Sequence, residues 1–228
     1  MGFPRFRALA EHGLLVEFGA EIAEAIHARV LALDAALAAD PPAGVIEAVP
    51  AYAGLLIRFD PLVTDHAAVE AAARARLGAA PPAARAAAPA REVEVCYEGE
   101  LAPDLAEVAA RTGMPPEAVI AAHLAGEYRV YMYGFAPGYA YLAGVPQALQ
   151  LPRKTTARRD IPAGSVLIAG PQCLVSTLKM PTGWWIIGRS PTQILTDDPA
   201  RPFLFEVGEA VRFTRLTRAE FDARGAAR

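Results

Sequence analysis

From Ala79 to Ala90 the chain runs through an alanine-rich stretch broken by proline. Pro81, Pro82 and Pro89 interrupt it and no apolar face recurs along it, so it reads as a linker over 81–90 rather than a helix. A 228-residue chain parted there makes two units, one over 1–80 and one over 91–216, with a tail at 217–228. The 54% apolar fraction overstates the core of either, because much of it is alanine, which buries little surface.

The first unit reads as α+β. LLVEF, within Gly13–Phe18, is a strand. Ala20–Ala39 carries Ile22, Ile26, Val30, Leu33 and Leu37 at spacings of three and four, the pattern of an amphipathic helix, and Asp40-Pro41-Pro42 ends it. Val45–Val49 and Gly54–Phe59 read as two strands, and Asp65 as the N-cap of a helix reaching Leu77. Strand, helix, two strands and helix predict a sheet with its helices on one face. In the second unit Val93, Val95 and Tyr97 alternate as in a strand, and short helices follow over Pro103–Arg111 and Pro115–Leu124. YRVYMYGF, SVLIAG, CLVST, WWIIG and AVRFTRL then supply short strands between Gly/Pro turns, predicting a closed or nearly closed barrel. Adjacent Trp184 and Trp185 fall on opposite faces of their strand.

Several function classes are disfavoured. The net charge is −3 with no basic stripe, which argues against nucleic acid. No run of about 18 apolar residues and no secretory leader is seen, so the expectation is a soluble, cytoplasmic protein without a membrane partner. Cys96 and Cys173 form no disulfide framework or C-x-x-C pair, and His12, His27, His66 and His123 lack metal-ligand spacing, so no metal is expected. Neither a G-x-x-x-x-G-K-[ST] phosphate loop nor a G-x-S-x-G elbow occurs.

Four features carry candidate chemistry. Gly134-Phe135-Ala136-Pro137-Gly138-Tyr139-Ala140-Tyr141 is a glycine-shaped loop lined by aromatics, either a packed turn or a ligand cradle. Arg153, Lys154, Arg158 and Arg159 form a cationic segment, either a solvated loop or a binder of carboxylate or phosphoryl groups. Gln172, after Gly170-Pro171, can present an amide to a ligand or cap a strand end, and leads on to Gly183-Trp184-Trp185. His123, near a helix end, is a packed side chain or an acid/base group.

HLAGEYRVYMYGFAPGYAYLAGVP, LPRKTTARRDIPAGSVLIAGPQ, PTGWWIIGRSP and VGEAVRF, in that order, resemble the family of the 5-oxoprolinase B subunit. That family is also described as allophanate hydrolase subunit 1, the carboxyltransferase C/D subdomain or the KipI family. HGLLVEF and VIEAVPAYAGLLIRFDP extend the resemblance into the first unit. It implies an α+β N-terminal ferredoxin-like domain followed by a mainly-β cyclophilin-like barrel domain. It also implies site positions at His123, Gly134, Phe135, Pro137, Gly138, Arg153, Arg158, Gln172 and Gly183.

The leading functional expectation is a subunit of an ATP-dependent, lactam-opening amidohydrolase converting 5-oxoproline to glutamate. Its implied partners are a second carboxyltransferase-like subunit, of the kind that forms the C component of 5-oxoprolinase, and a LamB/YcsF-type subunit. Arg153, Lys154 and Arg158 would bind the anionic group, Gln172 the lactam amide, and His123 would shuttle a proton. ATP belongs to the complex, and biotin is not expected on this chain. The alternatives are a component of a biotin-dependent urea or allophanate carboxyltransferase, and a non-enzymatic inhibitor of a histidine kinase. Phe135, Leu142, Val145 and one of Trp184 or Trp185 are expected to face a partner subunit.

The chain departs from the family where Cys173-Leu174-Val175-Ser176-Thr177 and Pro181-Thr182-Gly183-Trp184 replace the usual Thr-Gly-(Ile/Val)-Tyr-Pro and Pro-Gly-Gly-Trp. Lys154 stands for an arginine and Ala157 for a proline. A shifted substrate, another lactam or a urea-like amide, fits those changes.

Overall fold

The structure, a computed structural model, describes residues 2–79 and 89–226. The linker expected over 81–90 lies outside them except for its last two residues. The chain divides into two compact units, Met1–Ala87 and Ala88–Arg228.

In the first unit, β1 (Arg5–Leu9), β2 (Gly13–Glu17), α1 (Glu24–Ala39), β3 (Val45–Pro50), β4 (Gly54–Phe59) and α2 (His66–Ala79) follow in order. The sheet is antiparallel throughout, ordered β1-β2-β4-β3. Leu14 and Val16 on β2 and Leu55, Ile57 and Phe59 on β4 alternate onto one face, against Val30, Leu33 and Leu37 of α1 and Val69 of α2. Helix α2 starts where expected, the Ala68 N–H donating to the Asp65 carboxylate at 2.8 Å. Helix α1 starts at Glu24, four residues later than its periodicity predicts. Strand β1 is one that the apolar pattern does not predict. The element order is therefore ββαββα, where a ferredoxin-like unit runs βαββαβ.

The second unit is built on β5 (Arg91–Cys96), α3 (Leu105–Thr112), α4 (Pro116–Leu124), β6 (Tyr128–Tyr133), β7 (Ala140–Ala143), β8 (Arg158–Ile161), β9 (Ser165–Ala169), β10 (Gln172–Val175), β11 (Met180–Thr182), β12 (Trp185–Arg189), β13 (Ala210–Leu216) and α5 (Arg218–Ala226). Seven strands close a barrel in the order β10-β7-β6-β13-β5-β12-β9, and β8 and β11 form a separate pair. All barrel pairings are antiparallel except β13 with β5. The expected tail is helical: in α5, Phe221 packs on Cys96, Leu101 and Leu216, and Arg218 pairs with Glu100 at 2.6 Å.

Side-chain alternation separates two apolar layers. Val166 and Ile168 of β9, Cys173 and Val175 of β10, and Trp185 and Ile187 of β12 join one cluster with Val108 and Ile120 of α3 and α4. Leu167, Ala169, Leu174 and Ile186 join another, with Ile161 and Met180 of the β8–β11 pair and with Trp184. Every residue of β9 is buried, as in a strand covered on both faces. Trp184 and Trp185 do part to opposite faces, and both faces are buried. No described helix is long and apolar enough to cross a membrane.

Candidate functional site

The glycine-shaped loop ends the β6–β7 hairpin. It is held from within, by the Gly134 N–H on the Tyr139 carbonyl and the Tyr139 N–H on the Ala136 carbonyl. From outside, the Thr177 hydroxyl donates to the Pro137 carbonyl at 2.7 Å. Gly138, at φ +68°, sits where a Cβ would lie 2.7 Å from the Leu195 side chain. Phe135 also takes a left-handed conformation, φ 71°, unusual for an aromatic, and is 74% exposed. Burial of the Phe135 ring therefore does not repay the cost of this backbone conformation.

From Phe135 a line of rings runs inward. Its centroid is 5.4 Å from Tyr139, which is 5.5 Å from Tyr141, which is 5.9 Å from Trp184. Arg153 lies over Trp184, 5.4 Å from the ring centroid. Burial pushes the Tyr139 phenol up to about 12, against the opposing pull of the Arg153 guanidinium, so Tyr139 is a neutral hydroxyl at working pH.

The cationic segment is pinned on both sides of Arg153. The Trp185 indole N–H donates to the Pro152 carbonyl at 2.8 Å, and the Lys154 N–H to the Gly183 carbonyl at 2.7 Å. The Lys154 ammonium donates to the Asp104 carboxylate at 2.6 Å. Arg153 is left exposed between these anchors, with no ion pair among the described residues. Asp104 carries no signal that marks it in the sequence. It precedes α3 and also accepts the Ile186 N–H at 2.8 Å, tying β12 and the cationic segment to the start of that helix. An acid directly ahead of a helix is ordinarily read as a cap, and Asp104 makes no cap bond.

Three expectations are corrected. Lys154 is taken by Asp104, their side chains only 14% and 11% exposed, so it positions the segment rather than binding a ligand. His123 is fully buried among Tyr128, Phe213, Tyr97 and Cys173. Its Nδ1 lies 2.8 Å from the Tyr97 hydroxyl, and burial holds its pKa down to about 3. A neutral ring sealed from solvent cannot shuttle a proton to a substrate. Gln172 pairs with Ala143, at the end of β7 away from the loop, about 14 Å along the strand from Tyr139 at ~3.4 Å per residue. It does not join this face.

Of the remaining expected residues, Gly134, Phe135, Pro137 and Gly138 form the loop, and Gly183 anchors Lys154 through its carbonyl. Arg158 stands on β8, 3.7 Å from Asp104. Leu142, Val145, Trp184 and Trp185, expected at a partner surface, are buried, and Phe135 alone of that group is exposed.

The divergent Ser176 and Thr177 line a cleft of about 290 Å³ with Gly164, Ser190, Thr192 and Leu195. Ser176 is itself tied, accepting the Ser165 N–H and donating to the Pro162 carbonyl, both at 2.9 Å. The cleft is neutral and hydroxyl-rich, and Thr177 and Leu195 also pack beside Gly138. Among the described residues no group of His, Cys, Asp or Glu could hold a metal ion.

Comparison with known proteins gives a consistent assignment. The family described as the carboxyltransferase domain, subdomain C and D, matches residues 4–205. The chain is 35% identical over 225 residues, 94% of each chain, to a Bacillus subtilis (strain 168) protein named as the B subunit of 5-oxoprolinase. Among solved structures it resembles TTHA0988 at TM-score 0.79 and 37% identity, over 90% of this chain but only 40% of that longer one. The fold also recurs in the K. lactis urea amidolyase, at TM-score 0.77 and 16% identity, over 96% of this chain and 15% of that one. A barrel carrying the aromatic loop, the pinned arginine and these sequence matches belongs to the carboxyltransferase C and D subdomain family, alongside proteins named as 5-oxoprolinase B subunits.

Proposed function

We propose that this chain is a subunit of a 5-oxoprolinase-type amidohydrolase, opening a lactam to an amino acid at the expense of ATP in complex with a second carboxyltransferase-like subunit. The observation that carries the reading is Arg153, an exposed guanidinium without an ion pair among the described residues, held over Trp184 and next in line to Tyr141, Tyr139 and the exposed Phe135. A lactam acid offers a carboxylate and a flat ring, which a guanidinium and aromatic edges bind together. Whole-length similarity to a protein named as a 5-oxoprolinase B subunit supports the same assignment.

ATP would activate the otherwise unreactive amide carbonyl within the assembled enzyme. This chain's own part is to bind and orient: Arg153 holds the carboxylate, fixed on one side by Trp185 through Pro152 and on the other by Lys154, which Gly183 and Asp104 hold. The neutral Tyr139 and Tyr141 hydroxyls bound the ring. Phe135 completes the face against the partner subunit. In fold terms, we read the barrel as cyclophilin-like and the first unit as a ferredoxin-like variant whose outer strand is the N-terminal β1.

The test is reconstitution of the chain with its partner subunits and assay of ATP-dependent glutamate release from 5-oxoproline. Arg153→Gln is expected to raise KM about tenfold or more with the complex intact. A folded complex that releases no glutamate overturns the proposal.

A further inference from the structure

A second cleft, of about 280 Å³, opens between β8, β12 and the segment leading into α3. Arg158, Arg159 and Arg189 line it, together with Glu100 and Asp160. Both acids are already engaged by cations outside the lining: Glu100 by Arg218 at 2.6 Å, and Asp160 by Lys179 at 3.2 Å. Asp104, the nearest acid to Arg158 at 3.7 Å, holds Lys154 more closely, at 2.6 Å. The cleft therefore keeps an excess of guanidinium charge.

Arg189 adds an independent sign. Its Nε is buried and has no hydrogen-bond partner. Burial lowers its pKa, opposed by the nearby charge of Glu100. That atom is sealed from the cleft, so an anion would be met by the terminal nitrogens of the guanidinium, which make no ion pair among the described residues. Arg159, on the exposed strand β8, makes no ion pair among the described residues.

We infer that this cleft is a binding site for a phosphoryl group. Guanidinium groups from two separate strands, β8 and β12, suit a tetrahedral dianion, which accepts bonds on several sides, better than a planar carboxylate, which one arginine can satisfy. The Ser165 hydroxyl also lines the cleft, but it donates to the Pro162 carbonyl at 2.8 Å, which leaves the arginines as the binding groups. The cleft shares no lining residue with the Arg153 face, and the inference does not depend on lactam chemistry.

The purified chain is titrated calorimetrically with inorganic phosphate, ADP and acetate at constant ionic strength. Saturable phosphate binding is expected, weakened about tenfold by Arg159→Gln and by Arg189→Gln. Arg201→Gln, at an exposed arginine outside the cleft, should leave it unchanged. Competition and tighter binding by ADP identify a nucleotide as the source of the group. Phosphate binding that ADP does not displace identifies the free ion, and either outcome supports the site. Should Arg189→Gln unfold, the exposed Arg159→Gln still decides. The inference is overturned if phosphate does not saturate, if Arg159→Gln binds as wild type, or if acetate binds as tightly as phosphate.

Discussion

Asp104 and His123 are the two residues whose surroundings say most about how the barrel is held. Asp104 accepts the Lys154 ammonium and the Ile186 N–H with the same oxygen, so its loss strands a partly buried cation and an orphan backbone donor together. Asp104→Ala is expected to destabilise the fold by about 3 kcal/mol, and Lys154→Met in the same chain to restore part of that. Urea denaturation of the two single variants and the double variant measures the coupling, and additive effects would contradict the tie. His123 makes a pH prediction. Its folded pKa, about 3, lies below its ordinary 6.5, so between those values the unfolded chain takes up a proton that the folded chain refuses. Stability should fall as pH drops through that window, by up to roughly 1.4 kcal/mol per unit, with no contribution from this residue above it. His123→Gln is expected to be less stable at pH 7, with its deficit narrowing toward pH 5. Trp184 and Trp185 both lie in the second unit, so tryptophan fluorescence reads that unit's transition. A deficit that stays constant with pH would sink this reading.

At the scale of elements, strand β7 is flanked by two glycines with different reasons to be there. Gly144, at φ +121°, would put a Cβ 2.1 Å from the Glu127 carbonyl oxygen, which cannot move without the backbone. At Gly138, φ +68°, the first obstacle is the end of the Leu195 side chain at 2.7 Å, which can turn aside. Gly144→Ala should therefore cost about 3 kcal/mol or more, and Gly138→Ala about 1–2, by thermal or urea melts; the reverse order would refute the geometry.

Elements with strong periodicity are legible in the chain: α1, β2, β4, β9 and β12 lie close to where their apolar patterns put them. Strand β1 is not, because its residues are nearly all exposed and leave no alternation to read. Strand β8 hides inside an arginine run that composition assigns to a loop. The loop and Arg153 are legible because glycines, aromatics and cations announce themselves in one short stretch each. Burial of His123 is not, since Tyr97, Tyr128, Cys173 and Phe213 reach it from four strands or strand ends far apart in sequence. Gln172 misleads for a related reason: position along a strand says nothing about which end of the barrel the strand enters.

For the molecule as a whole, the proposed assembly turns on Phe135. An apolar ring that is 74% exposed contributes little to the stability of the isolated chain, so Phe135→Ser should leave the melting transition within about 2 °C. The same change should weaken association with the partner subunit by about tenfold or more, the behaviour of an interface anchor. Sedimentation of the mixed subunits reads both states, and wild-type association of Phe135→Ser would remove that residue from the interface.

The parallel pairing of β13 with β5 has a consequence in time. Val211 lies beside Arg91 and Leu216 beside Cys96, so the seam is formed by residues about 120 positions apart. A ribosome releasing this chain exposes β5 long before β13 exists, and until then the sheet has two unpaired edges. Closure therefore waits on the last part of the second unit to be synthesised, and its high sequence separation makes it a slow step. Chains stalled just short of residue 210 should accumulate as open, chaperone-bound sheets, while the helix-backed first unit has long since completed its own pairing.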